Sequence, residues 1–175
     1  MPQNNPQTDD SRSFDRDLAG KYLTFQLGDE TYGCPIGPID DIIEMQETTS
    51  VPQTRDYVEG VINLRGTVIP VINLRLKFGM PFREHDRNTV IIVVDLDGLK
   101  TGLIVDEVAE VREVSDDQVQ DAPSMGQEID SRFIAGMGKL DDQVAILLDL
   151  EHVLMEDELE ELKQMKDENT ASQEA

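Results

Sequence analysis

The 175-residue chain has no tryptophan, a single cysteine and only eight aromatic side chains, three tyrosines and five phenylalanines. Its core must therefore be built mainly from valine, isoleucine and leucine, and branched side chains fit pleated sheet better than helix. Cys34 has no second cysteine to pair with, which suits a reducing compartment. The sequence also lacks an apolar run of about eighteen residues and a signal-peptide-like start, so we expect a cytoplasmic protein without direct membrane insertion.

Basic residues are scarce as well, with 15 lysines and arginines against 37 aspartates and glutamates, for a formal charge of −22. Such a surface repels the phosphates of nucleic acids and of anionic lipids, so we expect no nucleic acid partner. The acidity reflects either a solubility strategy or a saline habitat. Residues 51–90 are the exception, because six basic and four acidic side chains give them a local charge of +2. This island is either the docking place of an acidic partner or a chance grouping of loop charges.

Reactive side chains are few and scattered. His85 and His152 have no neighbours at the spacing of metal ligands, so we predict no metal site. Cys34 has no histidine or second cysteine near it, which favours a small buried residue over a nucleophile. The paired acids lack the ligand series of a calcium loop, and phosphate loops and nucleophile elbows are absent. The sequence therefore predicts a protein that is not an enzyme and needs no cofactor.

The chain contains an internal repeat. Residues 57–60 match residues 133–136, an offset of 76, and the turn that follows pairs Arg65-Gly66 with Asp141-Asp142. The preceding stretch matches at an offset of 69. Two copies indicate a duplicated structural unit rather than a solenoid, which needs more copies. The aliphatic matches are Leu64 with Leu140, Val68 with Val144, Val71 with Leu147, Leu74 with Leu150, and Leu23, Phe25 and Leu27 with Ile92, Val94 and Leu96.

Short apolar segments separated by Gly, Pro and Asp turns predict a mainly β fold of two small five-stranded barrels. Each barrel has few core residues, so the two are expected to share an apolar interface. Residues 89–96 are apolar on both faces, which suits a strand at that interface. We place the first barrel roughly at 21–88 and the second at 89–154, and an exchange of strands at their boundary stays open.

The ends of the chain differ from this body. Residues 1–20 are polar and are expected to form a flexible tail, because they bury too little to offset the entropy of ordering. Leu159, Leu162 and Met165 recur every three positions, with acids before them and lysines near the end. This pattern predicts an amphipathic helix over residues 155–166, docked on the barrels, and a flexible tail at 167–175.

Residues 57–79 read YVEGVINLRGTVIPVINLRLKFG, with a Gly, an Asn-Leu-Arg-Gly, a Pro-Val pair and a Leu-Arg pair in order. In this segment, and in residues 102–108 and 133–138, the chain resembles the CheW-like domain family from about residue 21 to residue 154. The resemblance implies two Src-homology-three-like barrels around a shared core. It also implies a non-catalytic chemotaxis adaptor that couples the cytoplasmic tips of chemoreceptors, the methyl-accepting chemotaxis proteins, to the regulatory domain of the histidine kinase CheA. Such an adaptor is cytoplasmic and is recruited to membrane receptor arrays.

The resemblance further implies a receptor contact in a groove between the barrels. Arg65 is its most informative residue, because Asn-Gly or Asp-Gly would serve its turn equally well and arginine is enriched at interface hot spots. Gly60 is expected to support the turn below. The positions that match the contact are Ile39, Asp41, Arg65 and Val111, and those expected to support turns and structure are Gly60, Asn63, Gly66, Gly102 and Gly136.

The segment before Ile39 departs from the family pattern, with Pro35, Gly37 and Pro38 where relatives carry longer residues. The two prolines remove amide donors, which would weaken strand pairing at that edge. Two other interpretations of function stay open. One is the same adaptor role in a chemosensory-like pathway for surface motility or second messengers. The other, of a different class, is a ligand-binding or enzymatic protein that uses the cleft between the barrels, which would require converging polar groups.

Overall fold

The computed structural model describes residues 18–52, 54–121 and 131–154 of the chain, and the predicted helix at 155–166 and tail at 167–175 lie outside them. Of the predicted N-terminal tail, residues 1–17 lie outside as well, and Gly20 already belongs to the first strand. The mainly β fold is confirmed. The strands are β1 (Gly20–Leu27), β2 (Glu30–Pro35), β3 (Ile39–Glu44), β4 (Val58–Leu64), β5 (Thr67–Asn73), β6 (Val90–Leu96), β7 (Leu99–Val105), β8 (Glu107–Val114), β9 (Val119–Gln120), β10 (Ile134–Lys139) and β11 (Val144–Leu148).

Two one-turn helices follow equivalent strands of the repeat. Helix α1 (Leu74–Lys77) follows β5, and helix α2 (Leu150–Val153) follows β11. Asn73 caps α1 by accepting a hydrogen bond from the amide of Leu76, and Asp149 caps α2 in the same way. Because Asn73 and Asp149 are 76 positions apart, the duplication extends to the caps of the helices.

The strands form a five-stranded sheet in the order β3-β6-β7-β5-β4 and a six-stranded sheet in the order β8-β1-β2-β11-β10-β9. Each sheet therefore contains strands from both repeats, since β1 and β2 pair with the second repeat and β6 and β7 with the first. The sequential boundary near residue 88 is not a boundary between sheets. The parallel pairs that join the exchanged strands, Val71 with Gly102 and Leu147 with Gly33, are related by the two offsets of the repeat.

Both sheets close on themselves into barrels. In the five-stranded sheet, the chain after β3 returns to β4, where Thr49 and Val61 exchange two backbone hydrogen bonds of 2.8 and 2.9 Å. In the other sheet, the chain after β8 forms β9, which pairs with β10. Strand β9 is thus equivalent to the bridge at Thr49 but pairs over two residues. For this reason the sheet has six strands where five were predicted.

Three apolar clusters fill the fold. One lies inside each barrel, around Ile69 and Ile91 in the five-stranded barrel and around Tyr22 and Leu147 in the six-stranded one. The third takes residues from both sheets and is the shared core. Strand β6 confirms the prediction for residues 89–96, because its side chains alternate between a barrel interior and the shared core and four of them, Ile91, Ile92, Val93 and Val94, are fully buried.

Half of the eight aromatic residues of the chain form one stack in the shared core. The rings of Phe25 and Tyr32 lie 5.8 Å apart, those of Tyr32 and Phe78 lie 5.8 Å apart, and those of Phe78 and Phe133 lie 5.4 Å apart. The side chain of Lys77 lies over the ring of Phe133, 5.3 Å from its centre. The stack crosses from one sheet to the other, so it holds the barrels together by directional ring contacts as well as by burial.

Closure of the five-stranded barrel depends on Gly60, whose φ is +145°. A side chain here would overlap the carbonyl oxygen of Thr49, which approaches at the bridge. We predict that Gly60→Ala lowers the free energy of unfolding by about 2–4 kcal/mol, from overlap and backbone strain together. Gly37→Ala is the control, because nothing lies within 4 Å of the added carbon there, and chemical denaturation should show a change below about 0.5 kcal/mol. Equal stability of the two variants would contradict this role of Gly60.

Cys34 is fully buried in the shared core, and burial raises the pKa of its thiol to about 12. Because the thiolate is the reactive form, we predict that a thiol reagent at pH 8 leaves the native protein unmodified and labels it completely in denaturant. Mass spectrometry of the two samples measures this directly. Labelling of the native protein as fast as free cysteine would show that the shared core opens at this strand.

Candidate protein-binding site

Arg65 occupies the first position of the two-residue turn between β4 and β5. Its φ is +51° and that of Gly66 is +88°, the signs of a type I′ hairpin turn. The side chain of Asn63 supports the turn by accepting a 2.8 Å hydrogen bond from the amide of Gly66. The hairpin between β6 and β7 has the same signs of φ, with Asp97 and Gly98 at +54° and +81°. Arginine therefore stands where the backbone favours Asn, Asp or Gly.

The side chain of Arg65 reaches Asp41 on β3, with 2.7 Å between Nη2 and Oδ2. This hydrogen bond is the main cause that lowers the pKa of Asp41, and the amide of Ile42 adds to it. The arginine side chain remains 72% exposed and the aspartate 26%. An exposed pair of this kind contributes little to stability, so its main effect is to fix the direction of the guanidinium group.

A bulge in β3 separates the two predicted contact residues of that strand. Ile39 pairs with Val94 and packs against the shared core, whereas the register shift at residue 40 places Asp41 opposite Val93, which faces the barrel interior. The bulge re-aims consecutive side chains and lets Asp41 meet Arg65 at the end of the barrel. The structure thus brings Arg65 and Asp41 into contact, with Ile39 beside them on the same strand.

Val111 lies in β8 of the other sheet, opposite Leu23. Facing residues of antiparallel strands point to the same side of the sheet, and Leu23 belongs to the shared core. Val111 is 53% exposed, whereas Ile39 packs against the shared core on the five-stranded side. We refer to the positions of Ile39 and Val111, one on each barrel, as the inter-barrel seam.

Three of the predicted supporting glycines, Gly60, Gly102 and Gly136, lie where two parts of the chain approach closely. Gly60 follows a register shift in β4, and a side chain there would overlap the carbonyl oxygen of Thr49. A Cβ on Gly136 would come 2.9 Å from the carbonyl oxygen of Gln120 in β9, the equivalent approach in the other barrel. A Cβ on Gly102 would come 2.7 Å from Cγ2 of Ile91.

A partly buried ion pair between Arg75 and Asp106 was not predicted from the sequence. The guanidinium of Arg75 binds both carboxylate oxygens of Asp106, at 2.9 Å from Nε to Oδ1 and 2.9 Å from Nη2 to Oδ2. Their side chains are 14% and 12% exposed. Asp106 Oδ2 also accepts hydrogen bonds from the amide of Gly28 at 2.8 Å and from Arg83 at 3.2 Å. Each partner lies in a motif of the family resemblance, but nothing in the sequence connects two motifs 31 positions apart.

The two histidines have separate surroundings. His152 Nδ1 lies 2.7 Å from Asp149, the cap of α2, and His85 lies 3.4 Å from Glu59 with its ring against Phe82. In residues 18–52, 54–121 and 131–154 no three His, Cys, Asp or Glu side chains are grouped so that they could hold a metal ion. Within the same residues no helix is long and apolar enough to span a bilayer.

The known proteins most relevant to this geometry belong to one family. A family model for the CheW-like domain matches residues 21–158. The chemotaxis protein CheW of Klebsiella aerogenes is 34% identical over 139 residues, 79% of this chain and 84% of the relative. That of Helicobacter pylori is 32% identical over 147 residues, 84% and 88% of the two chains. The crystal structure of the scaffolding protein TtCheW from Thermoanaerobacter tengcongensis is similar with a TM-score of 0.73 and 34% identity, over 80% of this chain and 95% of that one.

The described residues thus form two closed barrels around a common core, with Arg65 held by Asp41 at the surface. The chain belongs to the CheW-like domain family, and it is an adaptor of chemotaxis signal transduction. The resemblance inferred from residues 57–79 is thereby confirmed.

The carboxylate of Asp106 should make stability depend on pH. Burial by itself would raise the pKa of Asp106, but the hydrogen bonds from Arg75 and Gly28 outweigh it and the pKa is lowered. A group with a lowered folded-state pKa stabilises the fold above its unfolded value, near 4, and loses that contribution as the pH falls through the folded value. We predict that the stability difference between wild type and Asp106→Asn shrinks steadily below about pH 4 in urea titrations. A constant difference would contradict it.

Proposed function

We propose that this chain is a cytoplasmic, non-catalytic adaptor that couples chemoreceptor signalling tips to the histidine kinase CheA in membrane receptor arrays. The observation that carries the proposal is the inter-barrel seam, in which Ile39 of one barrel packs against the shared core and the exposed Val111 of the other lies opposite the core residue Leu23. An apolar edge flanked by a fixed arginine suits the apolar face of an amphipathic helix, which is the form of a receptor tip. The choice of chemoreceptors and CheA as partners follows from the adaptor role of the family.

Arg65 supplies the polar part of this contact. Asp41 holds its guanidinium in one direction while most of the side chain stays exposed. The aliphatic stem can cover an apolar surface and the planar group can bind a carboxylate or a helix carbonyl of the partner. Preorganised arginine loses little side-chain entropy on binding, which makes it effective as an interface anchor.

The kinase contact would lie elsewhere, at the ends of the barrels. CheA carries a regulatory domain of the same two-barrel type, as the family resemblance implies. Two pseudo-equivalent barrels in each protein allow head-to-tail contacts of barrel on barrel, which build closed rings where the rotation permits. Receptor signals would then bias the kinase by stabilising one of two arrangements of these contacts, without turnover in the adaptor.

The proposed adaptor role involves no catalysis. Two features support this, the aliphatic residues of the seam and the small size of the recess beside Asp106. The residues that mark the seam are aliphatic, so no reactive groups are placed there to act on a substrate. The polar recess beside Asp106, lined by His85, Arg83, Thr89 and Asn73, holds about 10 Å³. That volume admits about one water molecule and no metabolite.

Arg65→Ala should weaken binding of receptor signalling tips about tenfold, which corresponds to about 1.4 kcal/mol, because a preorganised interface arginine is lost. Binding of CheA should be unchanged. Co-sedimentation with receptor signalling domains and with CheA, scored also for kinase activation, measures both. Lys139→Ala is the control, since Lys139 is likewise an exposed basic residue but lies in β10 of the six-stranded sheet. Equal receptor binding by the Arg65 and Lys139 variants would overturn the assignment of this site.

A further inference from the structure

Within the described residues the chain passes between the two sheets at two equivalent places. Residues 36–38 lead from β2 of the six-stranded sheet to β3 of the five-stranded one, and Asp106 alone leads from β7 back to β8. Gly37 and Asp106 are 69 positions apart and occupy the same place in the repeat. These two crossovers are the covalent links between the barrels, so their rigidity bears on how the barrels are oriented.

At the second crossover, contacts from both barrels converge on Asp106. On the side of the six-stranded sheet, its amide donates to the carbonyl of Gln26 at 3.2 Å and its carboxylate accepts from the amide of Gly28 at 2.8 Å. On the side of the five-stranded sheet, it binds Arg75, the second residue of α1. Arg75 in turn donates to the carbonyl of Pro81 at 3.1 Å. One carboxylate thus joins the two barrels through directional bonds, of which those with Arg75 are partly buried.

Among the described residues, the first crossover has no side-chain ion pair equivalent to this clamp. Gly37 offers no side chain at the position equivalent to Asp106, and Glu151 stands at the position equivalent to Arg75. Backbone hydrogen bonds tie this crossover to the two sheets, from the amide of Ile36 to the carbonyl of Lys21 at 3.2 Å and from the amide of Asp95 to the carbonyl of Pro38 at 2.8 Å. The duplicated fold therefore has a side-chain clamp at one of its two crossovers.

We propose that Asp106 is a positioning residue that sets the orientation of one barrel relative to the other, and thereby the shape of the inter-barrel seam. The shared core supplies most of the adhesion, chiefly by apolar burial, which is non-directional, and its aromatic stack adds directional ring contacts. A bidentate ion pair with further hydrogen bonds is directional, and fixing a single arrangement is the best attested role of such buried pairs. The effect of Asp106 on receptor binding at the seam rests on the proposed function, whereas its effect on the orientation of the barrels does not.

The double variant Arg75→Met with Asp106→Leu tests the proposal without leaving a buried charge unpaired, so its stability should stay near that of wild type. Spin labels at Glu44→Cys and Val144→Cys report the distance between the barrels, because both sites are exposed and lie in different sheets. Cys34 is buried and stays unlabelled in the native protein. Pulsed electron paramagnetic resonance then measures the distance distribution.

We expect one narrow distance in the wild-type background and a broader or displaced distribution in the double variant, with an unchanged melting temperature. Lys100→Met is the matched control, since it breaks an ion pair inside the five-stranded sheet and should leave the distribution as it is. Asp106→Asn, which keeps the size of the side chain, should give a smaller change in the same direction. Distributions that coincide for the background and both Asp106 variants would overturn the proposal.

Receptor binding separates this proposal from the proposed function. The double variant should bind receptor signalling tips about fivefold more weakly than wild type, because the seam spans both barrels and its shape changes with their orientation. A changed distance with full receptor affinity would overturn the link between Asp106 and the seam. Absence of receptor binding by the wild-type chain would instead overturn the proposed function and leave the orientation result standing.

Discussion

The apolar core between the barrels is the constraint on which the rest of the structure depends. Among the described residues, the interiors of the two barrels contain six and five buried residues, whereas the shared core contains twenty. Neither barrel interior by itself offsets the entropy of its chain, so most of the hydrophobic stabilisation arises between them. The proposed binding site depends on this arrangement, because the inter-barrel seam takes one residue from each barrel.

The duplication could be predicted from the sequence, but the exchange of strands could not. The repeat matched Leu23 and Phe25 with Ile92 and Val94, and all four residues lie in the shared core. The repeat shows that Gly33 and Gly102 are equivalent positions. It does not show which strand pairs with each of them, because the equivalence is the same with or without an exchange of strands. Only the register shows Gly33 beside Leu147 of the other repeat. Since each repeat completes the other's barrel, the two should unfold as one cooperative unit.

The candidate site was predictable to the extent that it depends on local geometry. Arg65 was identified from its place in a turn, and its contact with Asp41 joins two positions that the family resemblance had already indicated. The ion pair of Arg75 with Asp106 required knowledge of long-range packing. It also changes the meaning of the basic island at 51–90, because Arg65, Arg75 and Arg83 each form an ion pair with an aspartate of the same chain. The island is therefore largely neutralised within the fold and is weak evidence for an acidic partner.

The two-residue turns at 65–66, 97–98 and 141–142 show which residues stand at positions with a positive φ. Asp97 and Arg65 both have positive φ, whereas the equivalent turn at 141–142 in the second repeat does so at neither position. A left-handed backbone conformation costs an L-residue about 1–2 kcal/mol, and this cost is lower for Asn and Asp. Stability alone would therefore place Asp or Asn at 65, as it does at 97. Arginine at 65 therefore costs stability at its turn, and the receptor contact proposed for it gives a reason for that cost.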